Sequence, residues 1–371
     1  RSRGLGDVYK RQVQDIFHRF YPAYLDQYSP SPVQAKVAHN IMNCKTGAYG
    51  ANVCVCEDCG FVQIHYNSCR NRCCPMCQAV PKEMWMDARR EDVLDAPYFH
   101  LVFTVPDILN PVIYSNQRLL YDALYHAASS TISELTADPK HLGAKVGYIC
   151  ILHTWGSEMN FHPHIHTILL GGGLASNNQW KDNGENFFLP IRVISKMFRG
   201  KYLEELKRLW EEDKLVFHGT AEKFRNHYTF KELLDSCYGM DWIPHCKKTF
   251  NGAQTVIKYL GKYTHRIAVS NHRIVRMDDD TVTFLVKDYR NEGQWKELTI
   301  SGVEFVRRFL MHVPPRRFVR IRHYGLLCSR TKSQKLTLCR NLLGCKKYLS
   351  KLRDMEMPEI LEHLYGIKVC V

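Results

Sequence analysis

The segment Phe161–Gly173, FHPHIHTILLGGG, sets the architecture expected for this chain. Its β-branched and apolar run Ile165–Leu170 predicts a strand, and the Gly171–Gly173 run predicts the turn that ends it. Side chains alternate along a strand, so His164 and His166 point to the same face. The segment therefore predicts a strand that presents two imidazoles side by side.

Two imidazoles on one strand face can bind a divalent metal ion. A His-x-His pair is by itself more often solvated or hydrogen-bonded, so this prediction depends on its context. For phosphodiester chemistry such an ion would polarise a non-bridging oxygen and offset the charge that builds on phosphorus. A third protein ligand is expected, from Glu158, His162 or another segment.

The segments around this strand predict an α+β domain. Tyr98–Val105 and Val146–Trp155 have the β-branched and aromatic composition of strands, and Val112–Leu135 between them has helical spacing. Further helices are predicted at Arg199–Asp213 and Gly252–His265, ahead of a β-rich stretch at Arg273–Ile300.

Two helices are predicted before this domain. Residues 13–43 have helical apolar spacing that the Ser29–Pro32 stretch interrupts, and Val80–Leu94 predicts another helix. Residues Arg1–Gln12 resemble a translated sequencing-adapter artefact, so we expect them to be non-native and the native start to be missing.

Eight of the 15 cysteines lie between Cys44 and Cys77. Cys56-x2-Cys59 and Cys74-x2-Cys77 form two knuckles, the doubled pattern typical of a tetrahedral zinc site. We expect this zinc to be structural. Three nearby cysteines are alternative ligands or members of a second site: Cys54, Cys69 and Cys73. Arg70 and Arg72 would make the zinc module basic, which suits contact with DNA.

Tyr259 and Tyr263 are four residues apart in the predicted helix, so their hydroxyls leave the same face. Val256 shares that face, so an aromatic pair in the core is the alternative interpretation. The functional interpretation is nucleophilic catalysis. A neutral tyrosine is a poor nucleophile, and a metal or a nearby cation would favour the phenolate. The candidate cations are Lys258, Lys262 and Arg266.

The composition favours a polyanionic partner. The chain has 51 Lys and Arg against 37 Asp and Glu, a formal net charge of +14, and nucleic acid is the default partner. Seven of the arginines lie between Arg307 and Arg330, with aromatic residues among them and no acid. Arg316, Arg317, Arg320 and Arg322 are therefore candidate contacts to single-stranded DNA.

Six motifs together resemble the insertion-sequence-91 family of transposases, members of the HUH endonuclease superfamily. They are SCRNRCCPMC at Ser68–Cys77, FTVP at Phe103–Pro106, TWGSEMNFHPHIH at Thr154–His166, the glycines Gly171–Gly173, YLGKYTHRIAVS at Tyr259–Ser270 and FVRIRHYGLL at Phe318–Leu327. The resemblance spans most of the chain. It departs from the family pattern at Cys73, where the family has histidine, and at the end of the chain, where relatives often continue.

The resemblance implies an N-terminal zinc-binding module and an HUH-type antiparallel sheet that carries the histidines opposite a helix with the tyrosines. It implies that His164 and His166 bind Mg²⁺ or Mn²⁺ and that Tyr259 and Tyr263 are nucleophiles. Such enzymes nick one DNA strand, retain its 5′ phosphate on tyrosine and leave a free 3′ hydroxyl for rolling-circle transposition. The chain has no phosphate-binding loop, so a helicase would come from the host.

From these patterns we expect a helical and zinc-binding domain at 13–95, a nuclease domain at 96–272 and a basic DNA-binding part at 273–371, which we expect to be truncated. We expect a cytoplasmic, nucleoid-associated protein of a bacterial or archaeal cell that acts on single-stranded DNA at transposon ends and on target DNA. A plasmid replication initiator or relaxase of the same chemistry is one alternative. An inactive zinc-ribbon DNA-binding protein is the other.

Overall fold

A computed structural model describes residues 12–55, 59–182, 189–242, 244–250, 255–256, 261, 267–288 and 293–366. The helices are α1 Val13–Leu25, α2 Pro32–Met42, α3 Ala79–Arg90, α4 Asn110–Ser115, α5 Gln117–Ala137, α6 Ile191–Glu211, α7 His227–Gly239, α8 Gly302–Met311, α9 Lys332–Leu343 and α10 Met357–Tyr365. The strands are β1 Ala51–Val55, β2 Val62–Tyr66, β3 Tyr98–Thr104, β4 Lys145–Trp155, β5 Phe161–Leu174, β6 Trp180–Asp182, β7 His245–Phe250, β8 Ile274–Met277, β9 Thr281–Asp288, β10 Gln294–Ser301 and β11 Ile321–Gly325. None of the described helices has the length and apolar composition needed to cross a bilayer.

A six-stranded antiparallel sheet forms the centre of the protein. Its order is β11-β4-β5-β3-β7, and β6 pairs with β5. The predicted strands at Tyr98–Val105 and Val146–Trp155 correspond to β3 and β4. The predicted α+β class, with an antiparallel sheet and flanking helices, is confirmed.

The two faces of this sheet differ in what covers them. On one face, β-strand residues such as Phe103 and Ile165 are fully buried against α5 and α6, and Phe103 packs on Phe198 with ring centroids 5.0 Å apart. On the other face, Ile151 and Ile168 belong to a separate core cluster that includes residues of α3 and α9. His164 and His166 lie on this second face by strand alternation, and we call it the histidine face.

The glycine run does not end the strand, which corrects the predicted turn. Gly171–Gly173 lies within β5, where Gly172 and Gly173 pair with β6. A Cβ atom at Gly172 would overlap the ring of Trp180, and one at Gly173 would overlap the carbonyl group of Lys145. The glycines therefore permit a close approach of neighbouring strands, a requirement that turn statistics do not detect.

The N-terminal helices share one core with the segment that follows the predicted nuclease domain. Phe17 of α1 packs edge-on against Phe309 of α8, with ring centroids 5.2 Å apart, and Phe284 of β9 belongs to the same cluster. Two segments that the sequence suggested as separate domains thus bury their apolar faces against each other. The physical reason is that amphipathic α1 and the half-buried sheet β8–β10 each need a partner layer.

Two residues that flank β8 and α8 also fix the turn between β4 and β5. The buried guanidinium of Arg273 donates to the carbonyl oxygens of Ser157 and Leu285, both at 2.6 Å. His312 contacts the carbonyl oxygen of Met159 through Nε2 at 3.1 Å and the hydroxyl of Thr154 through Nδ1 at 3.1 Å. The ends of the two strands that carry the histidines are therefore held in place from outside the sheet.

Candidate metal centres and DNA-contact residues

Three buried histidines meet on the histidine face. The register of the β4–β5 pair places His153 directly opposite His164, and His166 follows on the same face. Ring nitrogens of the three side chains all lie within 4.8 Å of one another. Nε2 of His164 and Nε2 of His166 are 3.0 Å apart.

Hydrogen bonds at the far side of two rings orient these nitrogens. Nδ1 of His164 donates to the carbonyl oxygen of His162 at 2.7 Å, which leaves its Nε2 with a free lone pair. Nδ1 of His166 lies 2.9 Å from Nε2 of His100 on β3. Metal-binding histidines commonly have such a partner for their second nitrogen, because it fixes the tautomer and the ring plane.

Burial keeps these imidazoles neutral, the form that binds metal ions. Desolvation, followed by the charge of nearby His162, lowers the pKa of His164 to about 3. Burial and then His153 hold the pKa of His166 well below its usual range.

The distance between the ring nitrogens of His164 and His166 fits a metal ion. Two nitrogens that each lie about 2.1 Å from one ion, at a right angle, are about 3.0 Å apart, the separation found between His164 and His166. The structure brings His164 and His166 together as the sequence predicted, but it adds His153 as the third imidazole. Glu158 is exposed, and Nδ1 of His162 faces Asp107 at 3.3 Å, so neither belongs to the group.

The two predicted nucleophiles, Tyr259 and Tyr263, lie outside the described residues, as do Lys258, Lys262 and Arg266. Two residues of this segment that the structure does describe, Val256 and Gly261, have identified neighbours. Val256 is helical and buried, and it packs in the same cluster as Ile151 and Ile168 on the histidine face. A Cβ atom at Gly261 would overlap the sulfur of Met86 on α3.

A second cluster contains four cysteine sulfurs. Cys44, Cys69, Cys74 and Cys77 have Sγ atoms within 4.8 Å of one another, and those of Cys69 and Cys77 are 3.8 Å apart. Four sulfurs at about 2.3 Å from one zinc ion in a tetrahedron would be about 3.8 Å apart. Hydrogen bonds from Cys69 and then Cys74 lower the pKa of Cys77 to about 2, which favours a thiolate there. The cluster therefore fits zinc.

This cysteine set differs from the predicted one. Cys74 and Cys77 are present, but Cys44 and Cys69 take the places expected for Cys56 and Cys59. Cys59 is exposed, and Cys56 lies outside the described residues. The reason is that the hairpin β1–β2 projects with its side chains largely in solvent, whereas Cys44 follows α2 and Cys69 follows β2 at the base of the hairpin.

Of the remaining candidate ligands, neither Cys54 nor Cys73 belongs to the four-sulfur cluster. Cys54 lies half-buried on β1. Cys73 is buried in the core shared by α1, α2 and α8, close to Arg72 and Arg320. Its neighbour Cys74 belongs to the four-sulfur cluster.

Family models match two consecutive parts of the chain. One model, for the transposase zinc-binding domain of the insertion-sequence-91 type, matches residues 16–105. Another, described as "Putative transposase", matches residues 147–335. The chain belongs to the insertion-sequence-91 family of transposases.

Relatives in this transposase family align over most of their length. A protein of Sinorhizobium fredii named "Putative transposase y4qJ" is 42% identical over 335 residues, which are 90% of this chain and 84% of the relative. The transposase for insertion sequence element IS801 of Pseudomonas savastanoi pv. phaseolicola is 30% identical over 333 residues, which are 88% of this chain and 78% of the relative.

Solved structures with partial similarity include the conjugative relaxase TrwC in complex with oriT DNA. A metal-bound form aligns at 13% identity with a TM-score of 0.25, over 44% of this chain and 70% of the relaxase. The metal-free form aligns at 12% identity with a TM-score of 0.26, over 44% and 71%. Scores this low are too weak to carry an argument about this transposase.

The arginines predicted to contact DNA fall into two groups. Arg70, Arg316 and Arg317 are exposed. By contrast, Arg320 is buried with its guanidinium 5.5 Å from the ring centre of Trp155, and Arg322 pairs with Asp122. The side chains of Arg320 and Arg322 thus pack against the protein instead of lining an open groove.

Arg72 belongs to neither group. Its side chain donates to the carbonyl oxygens of Phe318 at 2.5 Å and Pro315 at 3.3 Å. The residue therefore connects the cysteine-rich segment to the turn before β11.

Proposed function

We propose that this transposase cuts and rejoins single-stranded DNA by tyrosine attack at a metal ion held by His153, His164 and His166. The observation that carries the proposal is the group of three buried imidazoles on the sheet face where Val256 packs. Neighbours hold the second ring nitrogen of two of them, His164 and His166. Val256 belongs to the same predicted helix as Tyr259 and Tyr263. Buried histidines converging on one point have a cost in desolvation that metal binding offsets.

The histidines are assigned as ligands, and the fourth and further positions are left for solvent or a phosphate oxygen. A bound Mg²⁺ or Mn²⁺ would polarise the scissile phosphate and stabilise the charge that develops on it. His100 would hold the ring of His166 in its ligating orientation. His162 would do the same for His164 through its carbonyl oxygen.

Tyr259 and Tyr263 are assigned as nucleophiles. The phenolate oxygen of one tyrosine would form a bond to phosphorus while the bond from phosphorus to the 3′ oxygen breaks. The departing 3′ oxygen takes up a proton, and the 5′ phosphate stays on the tyrosine. Attack by a 3′ hydroxyl reverses the step, so strand transfer requires no nucleotide cofactor. Two tyrosines would allow two successive transfers.

A direct test is to incubate the purified chain with labelled single-stranded oligonucleotides from the ends of the element and to separate the products on denaturing gels. We expect a covalent protein-DNA band that requires a divalent ion. Because the ligands are all imidazoles, which prefer transition metals to Mg²⁺, Mn²⁺ should support the band at a lower concentration than Mg²⁺. Tight binding without a covalent band under any divalent ion would contradict the proposal.

We also propose that Cys44, Cys69, Cys74 and Cys77 bind a structural zinc ion. Thiolates that bind zinc contribute strongly to folding, with an apparent binding free energy of about 10–16 kcal/mol in small zinc modules. The site ties the end of α2 to the loop that precedes α3. Its role is therefore to hold the N-terminal module in one conformation.

Replacing Cys74 with serine is expected to remove one equivalent of zinc and to lower the thermal unfolding temperature. The matched control is Cys59→Ser, which changes an exposed thiol outside the cluster and should leave this zinc in place. Zinc content by mass spectrometry or a chromogenic chelator measures the first effect, and calorimetry measures the second. Loss of the same zinc in Cys59→Ser but not in Cys44→Ser would reinstate the ligand set predicted from the doubled motif.

A further inference from the structure

We propose that a basic pocket between the cysteine-rich segment and the turn before β11 binds the sugar-phosphate backbone of DNA. The pocket has a volume of about 220 Å³ and opens to solvent. None of the described residues that line it is acidic. Four are cationic: Lys36, Arg72, Arg316 and Arg317. We call this the backbone pocket.

The charges of the backbone pocket are available to a ligand. Lys36, Arg316 and Arg317 are exposed, and in the described part of the chain none of them forms an ion pair. Other arginines are neutralised by a carboxylate, as where Arg307 and Arg308 pair with Glu304 at 2.6 and 2.7 Å. A set of unneutralised cations around one concavity is the usual electrostatic feature of a phosphate-binding surface.

The backbone pocket is lined by apolar as well as cationic residues. Val33, Val37, Val313 and Pro314 line the pocket together with the cations. Val37, Val313 and Pro314 are buried, and we call these four apolar residues the floor. An apolar floor inside a cationic rim suits a ligand that alternates hydrocarbon and phosphate. Deoxyribose and phosphate alternate in this way along a DNA strand, whereas a free phosphate ion would leave the floor without a partner.

The backbone conformation at the rim supports a binding role. Arg317 has φ 59°, in the left-handed region that non-glycine residues seldom adopt. Strain of this kind is found most often where a side chain must be presented to a ligand. The turn that carries Arg317 is closed by a hydrogen bond from the amide of Phe318 to the carbonyl oxygen of Pro315 at 3.0 Å.

One wall of the pocket is built by the loop between two proposed zinc ligands. The amide of Asn71 donates to Sγ of Cys69 at 3.5 Å, and the amide of Cys73 donates to Oδ1 of Asn71 at 2.9 Å. Arg72, between them, donates to the carbonyl oxygens of Phe318 and Pro315 on the opposite wall. We infer that the cysteine cluster sets the shape of the backbone pocket, so that loss of its metal weakens DNA binding.

The test measures DNA binding without cleavage. The triple substitution Lys36→Gln, Arg316→Gln and Arg317→Gln is made in a background with Tyr259→Phe and Tyr263→Phe, and no catalytic ion is added. Binding of a labelled single-stranded oligonucleotide is followed by fluorescence anisotropy over a range of salt concentrations. Because no tyrosine chemistry takes place, this result is independent of the proposed cleavage.

We expect the triple variant to raise the Kd by roughly tenfold to a hundredfold near physiological salt. The slope of log K against log salt should become less steep by about 2, since each lost contact to a single strand contributes about 0.7. The matched control is Lys207→Gln, Lys214→Gln and Lys231→Gln, which removes the same charge from exposed positions on or next to α6 and α7. This control should change the slope by less than the backbone-pocket variant.

Two results would overturn the proposal. One is an unchanged Kd and slope in the backbone-pocket variant, with its thermal unfolding equal to that of the parent. The other is displacement of the oligonucleotide by low-millimolar inorganic phosphate at matched ionic strength, which would identify a small-anion site. The link to the cysteine cluster is tested with Cys69→Ser: a folded, zinc-free variant that binds DNA as tightly as the parent would refute it.

Discussion

Replacing both Tyr259 and Tyr263 with phenylalanine is expected to lower the yield of covalent protein-DNA complex by roughly a thousandfold or more. Phenylalanine keeps the ring and its packing but has no oxygen to form the bond to phosphorus. DNA binding and thermal stability should remain close to those of the parent. Denaturing gels measure the covalent product, and anisotropy with the same oligonucleotide measures binding.

The control for this experiment uses tyrosines outside the proposed site. Tyr228 and Tyr238 lie on α7 and are exposed, so a Tyr228→Phe, Tyr238→Phe variant should cleave like the parent. Single variants at Tyr259 and Tyr263 then separate the two transfers. A covalent band of parental yield in the double variant would show that another residue is the nucleophile, and the tyrosine chemistry would have to be abandoned.

Local patterns predicted the parts of the structure that depend on near neighbours in the sequence. His164 and His166 share a face because alternation along one strand requires no knowledge of its partners. Cys74 and Cys77 lie in one cluster because a two-residue spacer aims both sulfurs the same way. The break between α1 and α2 follows from the Ser29–Pro32 stretch, with Ser31 as the N-cap of α2.

Features that depend on the pairing of distant segments were missed. His153 joins the other histidines only through the register of β4 with β5, which a single histidine in an apolar run does not reveal. Cys44 lies 25 residues before its neighbour Cys69 in the cluster, outside any short motif. The knuckle Cys56-x2-Cys59 was the stronger local signal, yet the side chain of Cys59 is exposed.

The burial of Arg320 and Arg322 illustrates the same limit. The run of arginines indicated both residues as DNA contacts, and they lie just before β11 and within it. Whether the side chain of Arg322 meets solvent depends on α5, which supplies Tyr125 and Asp122 as its partners. The exposed cations are instead in the preceding turn, where Arg316 and Arg317 meet Lys36 from α2. Charge patterning therefore does not distinguish the exposed Arg316 and Arg317 from the packed Arg320 and Arg322.

The second large effect is expected at His153, which was added to the proposed metal site because of its position in the structure. Replacing His153 with alanine is expected to reduce covalent product by a hundredfold or more at limiting Mn²⁺, since loss of a direct ligand should exceed the roughly tenfold to hundredfold cost of losing an outer-shell partner. Excess Mn²⁺ should restore part of the activity. Titration of the gel assay with Mn²⁺ measures both effects.

His162→Ala is the matched control, because the sequence made His162 a candidate ligand whereas its ring faces Asp107. Its backbone carbonyl, which accepts from His164, is kept in the alanine variant, so activity should fall by no more than a few fold. Thermal unfolding of both variants separates lost ligation from lost packing, since His153 also stacks on Trp155 with ring centroids 4.4 Å apart. If the His162→Ala variant needs far more Mn²⁺ and the His153→Ala variant does not, the third ligand is His162. The position of His153 beside His164 and His166 would then be a packing feature of the histidine face.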